Sequence, residues 1–122
     1  MRDSQNRVLL VRTAKLPGRW QPAGGGIEEG ESPTEAAIRE ILEETNISLV
    51  KSKLQLVAEI PYDFGVGTIY FFQYKLPESL TLSNLSFSKK EIIDHEWFYL
   101  EQTKSLPLFD ATSKFLDILS NM

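Results

Sequence analysis

Residues 28–44 hold an unusual density of carboxylates: Glu28, Glu29, Glu31, Glu35, Glu40, Glu43 and Glu44, opposed in sequence only by Arg39. Glu40 has Glu43 three residues on and Glu44 four residues on. Like charges at those spacings repel across a helix surface and destabilise it by a few tenths of a kcal/mol per pair. One guanidinium cannot neutralise the set, but a hard divalent cation can. Mg²⁺ and Mn²⁺ take oxygen ligands in octahedral geometry and commonly link a few carboxylates to substrate phosphates. A solvated acidic face is the blander meaning of the same pattern and, on the helix alone, the commoner one.

The element that must position these acids is a helix expected at 33–45. Ser32 and Glu35 make a capping box, and Pro33 falls at the first helical position, where its missing N–H costs nothing. Ala36, Ala37, Leu42 and the glutamates favour helix. Asn46 is a suitable stop because it tolerates the left-handed conformation just past a helix. At about 100° per residue, Ile38, Ile41, Leu42 and Thr45 form the expected core face, with Glu40, Glu43, Glu44, Ala36 and Ala37 opposite. Gly24, Gly25 and Gly26 lead into this helix and allow a tight turn and a close backbone approach.

With its ordered spacing, the segment resembles the Nudix box. Gly25, Glu31, Arg39, Glu40, Ile41, Glu43, Glu44 and Ile47 stand in register with it, and Asn46 replaces the usual glycine. Eight of nine fixed positions match over about a fifth of the chain. Outside the box, Val8-Leu9-Leu10-Val11-Arg12, Trp20 with Pro22, and Glu96-Trp97-Phe98 also resemble family strands and loops. The resemblance implies an α/β (α+β) fold of the α/β/α sandwich type, with a mixed sheet between helices, as a single domain over 1–122. It implies hydrolysis of a phosphoanhydride in a nucleoside diphosphate derivative, assisted by Mg²⁺ or Mn²⁺. Gly24, Gly25, Glu31, Glu40, Glu43 and Glu44 are the implied metal-site residues, the glycines through a backbone carbonyl. Glu40, Glu43, Glu44 and Arg39 are the catalytic set, one glutamate taking a proton from water and Arg39 orienting a carboxylate.

Arg12, Lys15 and Arg19 could reach phosphates, although ordinary surface charge is as good a reading for each. Tyr62 is a candidate substrate contact. Pro61 resembles the substrate marker of ADP-ribose enzymes and Tyr62 that of dinucleoside polyphosphate enzymes, so the pair decides nothing. Trp20 is read as a packing residue first and a base-stacking residue second. Glu91, Asp94 or Glu96 could add a carboxylate, each being more simply a surface acid, and His95 reads as a surface residue.

Composition closes other routes. The chain has 122 residues, 42% of them hydrophobic and 25% charged, as in ordinary globular domains. It has no cysteine, which excludes disulfides and thiolate chemistry. No apolar run approaches membrane-spanning length, and the N-terminus lacks a signal-peptide pattern, so a cytoplasmic setting is expected. A net charge of −4 argues against broad nucleic-acid binding but not against a small nucleotide-type substrate.

The remaining pattern predicts a buried strand at 8–11, strands at 54–60, 66–76 and 94–100, a turn at 61–65, a loop over 77–90, and a helix at 111–120 capped by Asp110, with Phe115, Ile118 and Leu119 as its core stripe. Almost no residues precede 8–11 to form the family's usual first strand. A short start, a strand from a partner chain, or a sequence cut from a longer one would each account for this, and an unpaired edge would favour a homodimer. Two other functions stand beside hydrolysis: a Nudix-fold module that binds a nucleotide without cleaving it, and a purely structural acidic helix.

Overall fold

The apolar run Val8-Leu9-Leu10-Val11 becomes part of strand β1 (Val8–Thr13), and all four residues are buried. A continuous apolar run, and not an alternating one, belongs to a strand covered on both faces. Its neighbours show this. Val8 and Leu10 pack with Trp20, Phe98, Ala111, Phe115, Leu116 and Leu119, while Leu9 packs with Ile41, Ile47, Leu49, Tyr74 and Trp97.

The computed structural model describes residues 1–62, 65, 67–77, 86–87 and 91–122. After β1 come helix α1 (Pro33–Thr45), a 3₁₀ turn (Lys51–Lys53), β2 (Gln55–Pro61), β3 (Thr68–Gln73), β4 (Ile92–Phe98), the short helix α2 (Leu100–Thr103) and α3 (Asp110–Ser120). Among the described residues, β1 pairs antiparallel with β4, and β2 pairs antiparallel with β3. The β1–β4 ribbon has α1 against one face and α3 against the other, because successive side chains of a strand point to opposite sides. This is the expected layered α+β architecture. Its mixed character is confined to isolated bridges, two of them parallel: Arg2 with Lys75 and Trp20 with Leu108.

Arg2 takes the place of an extra strand. Its N–H donates to the Tyr74 carbonyl at 2.8 Å, its carbonyl accepts from Leu76 N–H at 2.8 Å, and it also bridges Val8. A turn through Asn6, at φ 62°, returns the chain to β1.

Several expected boundaries shift. The strand expected at 94–100 begins at Ile92 and ends at Phe98, and Leu100 opens α2 instead. The strand expected at 66–76 narrows to β3. Asp110 does not cap α3: Phe109 holds the cap position, and Asp110 is the first helical residue, where its charge meets the positive end of the helix dipole. On α3, Ala111 and Leu116 are buried with Phe115 and Leu119, while Ile118 is exposed. Phe115 stacks on Phe71 of β3 at 4.5 Å between ring centres, which ties that helix to the β2–β3 ribbon. Residues 63, 64 and 66 of the expected turn and strand, and most of the 77–90 loop, lie outside the described residues.

Candidate active site

Helix α1 is fixed at both ends by the groups its sequence provides. Ser32 accepts from Glu35 N–H at 3.1 Å, and the Glu35 carboxylate accepts from Ser32 N–H at 3.0 Å. The Ser32 N–H, and after it the Ser32 side chain, hold the Glu35 carboxyl below its usual range. At the other end Asn46 adopts φ 62° and its N–H donates to the Leu42 carbonyl at 2.9 Å. Asparagine thus does the helix-stopping work of the glycine it replaces.

The buried arc of α1 is not the expected one. Ala36, Ile41, Glu44 and Thr45 are buried and Leu42 is exposed. At about 100° per residue, this rotates the inward face by roughly a quarter turn, from the Ile38–Leu42 side towards Glu44. The glycine loop explains the rotation, because it lies along the Ala36–Glu40–Glu44 stripe. The Gly24 N–H donates to Glu44 Oε2 at 2.9 Å. A Cβ on Gly25 would overlap the Glu40 carboxyl, so any larger residue there must move that carboxyl from its present place. Ala36 and Ala37 keep the neighbouring turn of the helix small.

Arg39 gathers the upstream acids. Its Nε donates to Glu31 Oε2 at 2.7 Å and its Nη2 to Glu31 Oε1 at 2.9 Å, a bidentate grip. Nη2 also donates to the Gly26 carbonyl at 2.9 Å, and Nη1 to Glu40 at 2.8 Å and Glu43 at 3.4 Å. Hydrogen bonds from Arg39, then from Glu28 N–H, hold the Glu31 carboxyl down to about 2. The Arg39 guanidinium is pushed upward by Glu31 and Glu40, so its charge is permanent.

Glu44 is the opposite case. Its side chain is buried, and among the described residues no basic side chain pairs with it. Burial raises its carboxyl to about 8, against the Gly24 N–H, and the charges of Glu40, Glu91 and Glu43 push the same way. Glu91 precedes β4, and its carbonyl accepts from Ala14 N–H at 2.9 Å. Sequence named Glu91 only as one of three outside acids, and no spacing singled it out.

The other candidates lie elsewhere. Arg12 sits opposite Asp94 in the β1–β4 register and donates to it at 2.6 Å, with its guanidinium 5.1 Å from the Trp20 ring centre. Trp20 is buried edge-on to Phe98, a packing role. Arg19 donates to the Leu108 carbonyl at 3.1 Å and stands over the Phe109 ring, and Lys15 is exposed. Tyr62 is half exposed and lines a cavity of about 370 Å³, together with Gly24, Gly25, Gly26, Ala36 and Phe72.

Among the described residues no three carboxylates or imidazoles stand ready around one point for an ion, since Arg39 holds Glu40 and Glu43. The donor set still fits a hard cation in its chemistry. It is all oxygen, and a buried carboxylate among like charges is stabilised by a positive neighbour.

A layered α+β fold with a glycine loop pressed against the acidic face of a capped helix is the class of domain that these elements define. The NUDIX domain model matches residues 1–117, and the chain belongs to the Nudix family. Nudix hydrolases generally require divalent metal ions. The chain is 44% identical over 101 residues to human diphosphoinositol polyphosphate phosphohydrolase 3-beta, covering 81% of this chain and 58% of that protein. It is 41% identical over 66 residues to Nudix hydrolase 25 of Arabidopsis thaliana, covering 51% and 35%. The chain therefore spans between about a third and three-fifths of these relatives' lengths. Among solved structures, dihydroneopterin triphosphate pyrophosphohydrolase of E. coli superposes with a TM-score of 0.70 at 26% identity, over 91% of this chain and 83% of that one. MutT protein from Methanosarcina mazei Go1 gives 0.77 at 21% identity, over 98% and 87%, a likeness of fold. Among the described residues no helix is long and apolar enough to cross a membrane.

Proposed function

We propose that this chain, as one Nudix domain in a cytoplasmic setting, hydrolyses a phosphoanhydride bond in a nucleoside diphosphate derivative with the help of Mg²⁺ or Mn²⁺. The observation that carries the reading is Glu44, a buried carboxylate held by Gly24 N–H, pushed upward by the charges of Glu40, Glu91 and Glu43, and without a basic partner among the described residues. Such a group is costly unless a cation joins it. The names of relatives agree in chemistry: diphosphoinositol polyphosphate phosphohydrolase and dihydroneopterin triphosphate diphosphatase.

Glu40, Glu43 and Glu44 would hold the ion, with Glu31 and a carbonyl of Gly24 or Gly25 assisting. The ion supplies charge neutralisation for the phosphate oxygens. Arg39 fixes Glu31 and the Gly26 carbonyl in one grip, so the loop and helix keep their spacing. One of the carboxylates accepts the proton of the attacking water. Positioning and charge stabilisation then supply most of the acceleration, because phosphoryl transfer asks little covalent chemistry of the protein.

The test is product release from a panel of nucleoside triphosphates, ADP-ribose and dinucleoside polyphosphates, with and without Mg²⁺. Metal-dependent turnover that is lost in Glu43→Gln and in Glu44→Gln, with unchanged circular dichroism, is the expected result. Full activity in both variants would reject it. The Arg39 bonds to Glu40 and Glu43 also favour a second reading, a non-hydrolysing nucleotide-binding module, which predicts binding without turnover across the panel.

A further inference from the structure

The end of the β2–β3 ribbon remote from Tyr62 carries the opposite charge to helix α1. The register Gln55↔Gln73 sets two glutamines side by side, and Gln73 Nε2 donates to Gln55 Oε1 at 2.7 Å. With Lys53 and Lys75 they line a surface cleft of about 410 Å³, and no acidic or aromatic side chain is among its described lining residues. Tyr74 and Leu76 pack into the same cluster as Ile41 of α1. Gln73 and Lys75 alternate with them along the extended chain and so point to the other face, the one Phe71 shares with Phe115. The cleft is therefore turned away from the α1 side of the ribbon.

Arg2 brings a third cation to this face. Its parallel bridge to Lys75 places the two side chains on the same side of the sheet. Arg2 is only 9% exposed. Its Nη2 donates to the Asn6 carbonyl at 2.8 Å, while its Nε has no partner among the described residues. Among those residues, none of Arg2, Lys53 and Lys75 forms an ion pair with a carboxylate. Asp3, the acid whose charge acts on Arg2, is already held by the Arg7 guanidinium at 2.7 Å. A buried guanidinium with an unanswered N–H is unfavourable, and an anion relieves it. Burial, against the charge of Asp3, presses the Arg2 pKa downward in the same sense.

We propose that this cleft is a second anion site, which takes a chain of two or more phosphoryl groups through Arg2, Lys53 and Lys75. The three cations come from separate segments: the residues before β1, the 3₁₀ turn and the residues after β3. Spread in this way, they suit an extended anion better than a single phosphate, and the glutamine amides add neutral donors. With no aromatic wall there is nothing on which a base could stack, so recognition ends at the phosphates. The chain is either free pyrophosphate or the diphosphate of a nucleotide. The site needs no metal and stands or falls apart from the proposed hydrolysis.

Titration calorimetry of the whole chain in EDTA at low ionic strength, with pyrophosphate and with adenosine 5′-diphosphate, tests the site without turnover. With no cation present, the acids of α1 repel an anion. One pyrophosphate should bind per chain, weakened about tenfold by Lys53→Gln and by Lys75→Gln, the scale of one charge-assisted hydrogen bond. Lys104→Gln, at an exposed lysine outside the cleft, should leave binding unchanged. All three lysines are exposed, and thermal melts check that the variants stay folded. In heteronuclear spectra the Arg2 Nε–H should shift as pyrophosphate is added. Binding of the nucleotide within a few-fold of pyrophosphate makes nucleotide phosphates one source, and far weaker binding leaves the free anion as the ligand; either result upholds the site. Absence of saturable pyrophosphate binding, binding indifferent to both cleft lysines, equal weakening by Lys104→Gln, an unmoved Arg2 Nε–H, or nucleotide binding tenfold tighter than pyrophosphate overturns the proposal.

Discussion

Glu31, just before helix α1, and Glu44, in its last turn, are the same residue type beside the same loop, yet their carboxyls are driven in opposite directions. Glu31 is gripped by a guanidinium and held down to about 2. Glu44 is buried among acids and raised to about 8. The difference shows a division of labour inside one acidic motif. At Glu31 the bidentate guanidinium supplies the opposing charge, and the carboxylate serves as framework. Where the guanidinium does not reach, the site is left short of positive charge, and that deficit is what a metal and its phosphates would fill.

Breaking each half should therefore have unequal consequences. Glu44→Gln removes the group whose charge is unanswered, and kcat should fall on the order of 10³-fold, the equivalent of several kcal/mol of lost charge stabilisation. Arg39→Lys keeps the charge but loses the bidentate grip on Glu31 and the bond to the Gly26 carbonyl. An outer positioning role predicts a loss of about 10- to 100-fold. Single-turnover rates at saturating Mg²⁺ measure both, and equal losses would erase the distinction.

Gly25→Ala attacks the contact between loop and helix. The new methyl must displace the Glu40 carboxyl, and a shift of that kind costs about 10²-fold in rate. Gly26→Ala meets open space and should lose far less. A shared loss would mean that loop mobility, and not the close approach at Gly25, is what matters.

The raised Glu44 carboxyl also makes a pH prediction. A folded value above the unfolded one means that the folded chain binds the extra proton between about 4.5 and 8. Without metal, stability should fall as pH rises through that window, and Glu44→Gln should flatten the fall. A cation seated at Glu44 must displace the proton, so Mg²⁺ affinity should rise with pH, by up to tenfold per unit, until about 8. Melting temperatures from pH 5 to 9, with EDTA or Mg²⁺, read both effects. A metal-free melting curve that rises with pH would show that Glu44 is not the strained acid.

Most of the framework could be read from local rules, because local rules act there. The capping box at Ser32, the left-handed stop at Asn46 and the doubly covered run at 8–11 depend on a few adjacent residues. What could not be read depends on what lies across the fold. The quarter-turn rotation of α1 follows from a glycine loop settling on Ala36 and Glu40, and apolar periodicity alone placed Leu42 inward. The burial of Glu44 follows from that rotation, so the residue most affected by the fold looked like one more surface acid. The alanines at 36 and 37, on the same stripe, were the available sign that something approaches closely there. Arg12 reads as a free cation in sequence, while strand register commits it to Asp94.

The smallest expected effect tests whether the helix start belongs to the site or only to stability. Ser32→Ala removes the acceptor for Glu35 N–H and should lower stability by about 1 kcal/mol. The Arg39 grip on Glu31 lies next to this cap in sequence but ties the helix to the loop through side chains the cap does not touch. Stability and rate should therefore separate: denaturant unfolding shifts, while kcat under native conditions changes less than twofold. If kcat falls with stability, the cap holds Glu31 in register, and the framework half of the acidic motif begins at Ser32.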